Sequence, residues 1–275
     1  MTRLGLLRQT IDRLSRSAAE SPRSTAQWLL AEALGVSPLS LYVEQDQPIP
    51  HACRRRVEAW TTRCAQGEPP AYVLGSVDFA GQRFRVTPST LIPRPETELL
   101  FEIAVRLLDR LPAGAILDVG TGSGVLAVSL ARRLPGRRVY GSDVDPSALA
   151  VAGENGRGLP NLSFYQADLL KPAPEAELAL IVANLPYIPT GALAQLPKNV
   201  QYEPRRALDG GPDGLHLIRS LIVQAAGRCR ALALEVGDHQ AKTVRELLED
   251  AGFSRSRSLK DLSGMERIVI GETHG

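Results

Sequence analysis

Ala115-Ile116-Leu117-Asp118-Val119-Gly120-Thr121-Gly122-Ser123-Gly124 is a short apolar run that breaks into three glycines, and a helical pattern through Val125, Leu126, Val128, Leu130 and Leu134 follows it. Strand, glycine turn and helix in this order are the layout of a nucleotide-binding crossover. The glycines let a ligand approach backbone where a side chain would collide, and the helix start offers unpaired N–H groups. A glycine-rich turn is weak evidence alone, since many tight turns bind nothing. Here it has a partner: Val139-Tyr140-Gly141-Ser142-Asp143 is a second apolar run ending in an acid, roughly twenty residues on, where a carboxylate can take both hydroxyls of a ribose. Asp143 could instead cap the helix beginning near Pro146, although Asp145 or Ser147 would serve that purpose equally well.

A third run, Leu162-Ser163-Phe164-Tyr165-Gln166-Ala167, ends in Asp168. Acids thus stand at or near three successive strand ends, and no basic residue lies in the glycine turn to meet a phosphate. That pattern suits a cationic cofactor, and S-adenosylmethionine carries a sulfonium and an ammonium but no phosphate. In this reading Gly120, Thr121, Gly122, Ser123 and Gly124 run beneath its amino-acid portion and Asp143 holds the ribose. Asp168 accepts from the adenine amino group while Leu169 packs at the ring, although a strand-terminating acid at 168 would by itself be an ordinary surface residue.

Downstream, an apolar strand runs out at Val182-Ala183 into Asn184-Leu185-Pro186-Tyr187. The nitrogen of a carboxamide or an exocyclic amine is a poor nucleophile that has to be positioned rather than deprotonated. The Asn184 side-chain oxygen and the Leu185 carbonyl can each accept one of its hydrogens, while Pro186 completes the tetrad and the Tyr187 ring packs beside the planar group. The same four residues also read as a turn after a buried strand.

Six segments, in order over nearly the whole chain, resemble the release-factor glutamine methyltransferases, the PrmC/HemK family. They are Gly67–Tyr72, Leu91-Ile92-Pro93-Arg94-Pro95-Glu96-Thr97-Glu98, the Gly120–Gly124 turn, the Asn184–Tyr187 tetrad, the run from Tyr202-Glu203-Pro204-Arg205-Arg206-Ala207-Leu208 to Gly214, and Lys260–Gly264. The resemblance implies methyl transfer from S-adenosylmethionine to the side-chain amide nitrogen of the glutamine in the Gly-Gly-Gln loop of peptide-chain release factors. It implies a Rossmann-like class I methyltransferase sheet, mostly parallel with an antiparallel last strand, behind a small helical domain and a β-hairpin linker. One departure matters: the family tetrad usually reads Asn-Pro-Pro-Tyr, whereas position 185 is Leu here. Asn-Leu-Pro-Tyr resembles the adenine N6-methyltransferases of ribosomal RNA, which is the alternative substrate reading.

Helical spacing of Leu4, Leu7, Ile11 and Leu14, then segments from Pro22 to Gly35 and from His51 to Ala65, predict a helical substrate-recognition domain over residues 1–75. Phe79 to Phe84 predicts a hairpin within a linker over 76–94, and the methyltransferase domain takes 95–275. It opens on a helix from Pro95 to about Leu111. The Pro- and Gly-rich stretch from the tetrad to a helix near Gly214 forms one wall of the substrate pocket, with Glu203 and Arg205 fixing it internally. The remaining elements are a strand over 231–237, a helix over 239–251, and an antiparallel pair, 255–259 with 267–270.

A formal net charge of +2 with no run of like charges gives no reason to expect a direct nucleic-acid partner. Three cysteines (Cys53, Cys64 and Cys229) and four scattered histidines form no paired or metal-spaced pattern, so no metal is expected and the thiols read as reduced in a cytoplasmic protein. No apolar stretch has membrane-spanning length, and a monomer is expected.

Overall fold

A computed structural model describes residues 1–17 and 19–273, which divide into two compact units. The first runs to Val77 and takes in the distant segment Leu196–Glu203; the second comprises Asp78–Gln195 and Pro204 onward.

The helical unit contains α1 (Arg3–Ser15), α2 (Pro22–Leu34), α3 (Ser40–Val43), α4 (His51–Ala65) and α5 (Pro70–Leu74). Thr2 caps α1 by accepting from the Gly5 N–H at 3.2 Å, and Pro22 occupies the first turn of α2, where its missing N–H costs nothing. Leu6, Leu7 and Leu14 of α1 share one core with Leu29 and Leu30 of α2 and with Val57 and Cys64 of α4. Each of these leucines is at most 1% exposed, and full burial of such a side chain contributes about 1.5–3 kcal/mol. A hairpin of β1 (Ser76–Phe79) and β2 (Gln82–Arg85) follows, with Phe79 and Phe84 meeting edge to face at 6.0 Å.

The second unit continues with α6 (Pro95–Leu108), β3 (Ala115–Val119), α7 (Val125–Arg133), β4 (Val139–Asp143), α8 (Pro146–Asn155), β5 (Leu162–Gln166) and β6 (Leu178–Ala183). After α9 (Lys198–Gln201), which lies in the segment belonging to the helical unit, come α10 (His216–Ala225), β7 (Cys229–Glu235), α11 (Ala241–Asp250), β8 (Arg255–Lys260) and β9 (Glu266–Glu272). Seven strands form one sheet in the order β5-β4-β3-β6-β7-β9-β8. Its first five strands are parallel, while β9 is antiparallel to both β7 and β8 and lies between them. This is the Rossmann-like sheet with an antiparallel last strand.

Strands β3 and β6 are buried at every residue, as continuous apolar runs in the middle of a helix-covered parallel sheet must be. The chain builds outward from β3 through β4 to β5, then returns to β3's other side with β6. That reversal opens a crevice beyond the carboxyl ends of β3 and β6, where open α/β sheets bind their ligands. Register brings the two ends level, Val119 beside Ala183, and Ala183 lies beside Leu234 of β7.

The stretch between the tetrad and α10 carries more regular structure than its composition predicts. Turns of 3₁₀ helix occupy Thr190–Gln195 and Arg205–Ala207, and Pro197 and Pro204 stand immediately before α9 and the second of these turns. The proline φ is already suited to starting a helical turn. α10 begins at His216, near Gly214 as expected, and the Asp213 carboxylate accepts from the Leu215 N–H at 3.0 Å in the turn before it. Among the described residues no helix is long and apolar enough to cross a membrane.

Candidate functional site

Asp118, near the end of β3, is buried, and its Oδ2 accepts from Thr121 Oγ1 at 2.6 Å and from the Ala127 N–H at 3.2 Å. One carboxylate therefore ties the glycine turn to the first turn of α7. Desolvation raises its pKa to about 7, with the nearby Asp143 charge adding to the effect. At Gly122 a Cβ would meet nothing nearer than the Gly120 carbonyl oxygen at 4.0 Å, so that residue leaves open space along the ligand side of the turn.

Asp143 ends β4, and its two oxygens accept from the Gly122 N–H and the Asp145 N–H, each at 2.9 Å. A carboxylate has about four acceptor positions, so both oxygens retain capacity for hydroxyl donors. Partial burial pushes the Asp143 pKa upward. Asp145, not Asp143, caps α8 by accepting from the Ser147 N–H at 2.8 Å, which leaves Asp143 free of the capping role. Asp168 is exposed beyond β5, and Leu169 is buried with a left-handed backbone at φ 55. A left-handed leucine is uncommon, and such conformations concentrate where the surroundings hold a side chain in place for binding.

Asp118, Gly120 to Ser123 of the glycine turn, Asp143, Asp145, Asp168 and Leu169 line one cavity of about 530 Å³, together with Asn184, Leu185, Pro186, Thr97 and part of the loop before α10, whereas Gly124 faces Ala152 and is not part of the lining. That volume is within the range of small-molecule sites. Its charged lining is Asp118, Asp143, Asp145, Asp168 and Asp209 against Arg206 alone, and Arg206 pairs with Asp145 at 3.3 Å. Such a surface favours a cation and offers a phosphate little.

Asn184 leaves the end of β6 with its Nδ2 donating to Thr97 Oγ1 at 3.0 Å, and Thr97 Oγ1 donates to Glu235 Oε2 at 2.8 Å. Thr97 sits in the first turn of α6 and Glu235 ends β7, so three distant segments converge on one amide. Burial raises the Glu235 pKa to about 7, against the Thr97 hydrogen bond. Leu185 is 4% exposed, and its Cδ2 lies 2.9 Å from where a Gly120 Cβ would stand. Its side chain thus packs onto the glycine turn while remaining on the cavity wall.

Tyr187 belongs to a different wall. It is not among the residues lining the cavity, and its Cδ2 lies 3.0 Å from where a Gly237 Cβ would stand. Burial first, then the neighbouring Glu235, raise its phenol pKa to about 12. The Tyr187 carbonyl accepts from Gln240 Nε2 at 2.9 Å, while Gln240 Oε1 accepts from the Gly237 N–H at 2.8 Å. Gly214, at φ 77, passes so close that a Cβ there would lie 2.2 Å from the Tyr187 oxygen. The tip of the tetrad is therefore clamped from behind by Gln240 and by backbone that only glycine permits.

The loop beyond the tetrad folds back along it, with Ile188 N–H donating to the Leu208 carbonyl at 3.1 Å and Gly210 N–H to the Ile188 carbonyl at 2.9 Å. Arg205 pairs with Asp209 at 3.3 Å, inside the loop, and Asp209 accepts from Thr190 Oγ1 at 2.6 Å. Sequence reasoning missed Thr97, Glu235 and Gln240. A charged residue ending the apolar run Ala231-Leu232-Ala233-Leu234 was the signal for Glu235, whereas Gln240 carried none.

A family model described as the PrmC N-terminal domain matches residues 5–75, and one described as a methyltransferase domain matches residues 116–201. A Moorella thermoacetica protein named release factor glutamine methyltransferase is 40% identical over 277 residues, 98% of each chain. A Geobacter sulfurreducens protein of the same name is 42% identical over 269 residues, covering 94% of this chain and 92% of its own. The solved hMettl16 catalytic domain, in complex with a 3′UTR hairpin, matches 85% of both chains with a TM-score of 0.57 at 15% identity, a likeness of fold alone.

Proposed function

The chain belongs to the release factor glutamine methyltransferase family, and from that premise we propose that Asn184 and the Leu185 carbonyl hold the glutamine amide of a release factor's Gly-Gly-Gln loop for methylation. The observation that carries this reading is that a single cavity is lined by Asn184 and Leu185 on one side and by the glycine turn, Asp143 and Asp168 on the other.

The cofactor is S-adenosylmethionine, and the residues present fit it. The lining is rich in carboxylates, its one arginine is paired with Asp145, and the Gly122 side of the turn is open. When bound, S-adenosylmethionine supplies an electrophilic methyl group on a cationic sulfur. Gly120, Thr121, Gly122, Ser123 and Gly124 would hold its amino-acid portion, Asp143 its ribose hydroxyls, and Asp168 with Leu169 its adenine. Asn184 Oδ1 and the Leu185 carbonyl each accept one amide hydrogen, which directs the nitrogen at the methyl group. Both bonds strengthen as positive charge develops on that nitrogen, so their contribution is largest in the transition state. No strong base is required, because the nitrogen becomes acidic as its new bond forms and its surplus proton passes to water. Tyr187 stiffens this tip from behind rather than lying on the cavity wall.

The division of labour is part of the same proposal: recognition of the release factor by residues 1–75, a linker over 76–94, and transfer by 95–275, acting as a monomer without direct nucleic-acid contact. The match of residues 5–75 to a separate N-terminal domain model supports that division. A methyl-transfer assay offering release factor, its Gln→Ala variant at the Gly-Gly-Gln loop, and ribosomal RNA side by side tests the substrate. Label is expected on unaltered release factor alone, and label on RNA alone would overturn the reading.

A further inference from the structure

Asn184 is oriented by a chain of two hydrogen bonds that ends on a carboxylate outside the cavity. Glu235 does not line the cavity, is 1% exposed, and reaches Asn184 only through the buried Thr97 hydroxyl. Its second oxygen, Oε1, is buried with no hydrogen-bond partner among the described residues. A buried polar atom left in that state needs a reason.

We infer that Glu235, acting through Thr97, is the positioning residue that sets which end of the Asn184 amide faces the substrate, and that its ionised form is the one competent for methyl transfer. The inference rests on the reading of Asn184 as the residue that holds the glutamine amide. An ionised carboxylate only accepts, so Thr97 must spend its single hydroxyl proton on Glu235. The hydroxyl then has only lone pairs to offer Asn184, and only the NH₂ end of the amide can satisfy them. Asn184 Oδ1 is thereby left on the other side as an acceptor for a substrate N–H. A flipped amide would set Oδ1 against those lone pairs and present a donor to a substrate that needs an acceptor. The charge on Glu235 also strengthens the bond to Thr97 beyond that of a neutral pair.

Once protonated, Glu235 either accepts as a weaker neutral carbonyl, which loosens the hold on Asn184, or donates to Thr97, which frees the hydroxyl proton and lets the chain reverse. The groups around it are Arg94 and Glu96 at the start of α6, Arg267 on β9, and Tyr187 beyond β6. Glu96 opposes ionisation, and Arg94 and Arg267 favour it. Arg267 is engaged elsewhere, with Asp238 at 2.7 Å and the Val236 carbonyl at 3.1 Å. Desolvation therefore prevails and brings the carboxyl to about 7.

The test uses the full chain with purified release factor at saturating S-adenosylmethionine, in wild type, Glu235→Gln, Thr97→Val and Thr97→Ser. Wild-type kcat should fall by about tenfold per pH unit below an apparent pKa near 7. Asp118 is pushed to the same range, so the variant profile is what separates the two groups. Glu235→Gln should be slower and lose the Glu235 limb of the profile. Thr97→Val should lower kcat by roughly tenfold or more, and Thr97→Ser, which restores the hydroxyl, should recover most of it. Calorimetric cofactor affinity should stay unchanged throughout, and in the ligand-free protein the Glu235 carboxyl carbon should titrate near 7 by NMR. A Glu235→Gln enzyme with the wild-type profile, or a Thr97→Val enzyme with wild-type kcat, overturns the inference alone. A wild type that methylates no release factor overturns the substrate reading, and this inference with it.

Discussion

The two halves of the cavity are built in opposite ways. The half we assign to the cofactor comes from short local pieces: Asp118 to Ala127, Asp143, 21 residues from the Gly122 N–H it receives, and Asp168 with Leu169 beyond β5. The half we assign to the substrate draws Thr97 and Asn184 together, with Glu235 behind them, across sequence separations of 87 and 138 residues. A strand-turn-helix unit is held by its own backbone and one carboxylate, so each part is local. The orientation of Asn184 depends on partners that only folding brings near. Mutations in the first half should therefore act on cofactor affinity and mutations in the second on turnover.

Asn184→Ala is the strongest way to break that separation. Turnover on release factor should fall roughly a hundredfold or more, by analogy with the loss of an oxyanion-hole donor, with cofactor binding little changed. If calorimetry instead shows the defect in cofactor affinity with normal turnover, Asn184 belongs to the other half. Asp143→Ala is the converse, removing a charged acceptor at a cost of about 1.5–3 kcal/mol per hydrogen bond lost. Titration with S-adenosylmethionine should show affinity weakened by roughly ten- to a hundredfold, and unchanged affinity would take Asp143 out of the ribose site.

Each half is also supported by one buried acid raised to about 7, Asp118 on the wall of the first and Glu235 behind the second. A carboxyl with a folded pKa above its unfolded value makes the native state hold a proton that the unfolded chain releases. Stability therefore declines as pH rises from about 4 toward 7 and levels off above the folded value. Between pH 6 and 8 the loss should be roughly 1 kcal/mol per group. Denaturant melts of wild type, Asp118→Asn and Glu235→Gln sharpen the comparison: each variant should remove part of the slope, and a wild-type slope of opposite sign would refute both assignments.

Leu185→Pro should have the smallest effect. It keeps the carbonyl of residue 185 and restores the usual family tetrad, but removes a buried side chain that packs on Gly120. Activity on release factor within about tenfold of wild type would show that the carbonyl is what matters at 185, with the cost of an unpaired acceptor, about 1–3 kcal/mol, as the upper limit. Abolished turnover in a folded, cofactor-binding variant would give the Leu185 packing a role in joining the halves.

Much of the molecule was legible before folding because its signals are local. Apolar runs such as Ala115-Ile116-Leu117 and Val139-Tyr140 announce strands, and the acids at 118, 143 and 168 can be read one strand end at a time. The helices of the N-terminal unit follow from three- and four-residue spacing. The loop before α10 read poorly, since its turns start at single prolines and its course depends on backbone contacts with Ile188 and Tyr187.

By itself the sequence determined the long helices and the main strands, the glycine turn with its acids, and the tetrad, because backbone preference and side-chain periodicity act over a few residues. Only the tertiary structure decided that β3 and β6 are neighbours, so that the glycine turn and Asn184 open into one cavity. It also put Glu235 one residue beyond the position level with Ala183, and put Thr97 between that carboxylate and Asn184. Strand order is set by how apolar faces and crossover helices pack against each other across the whole sheet. No window of the chain contains that information, and the direction in which Asn184 faces is its consequence.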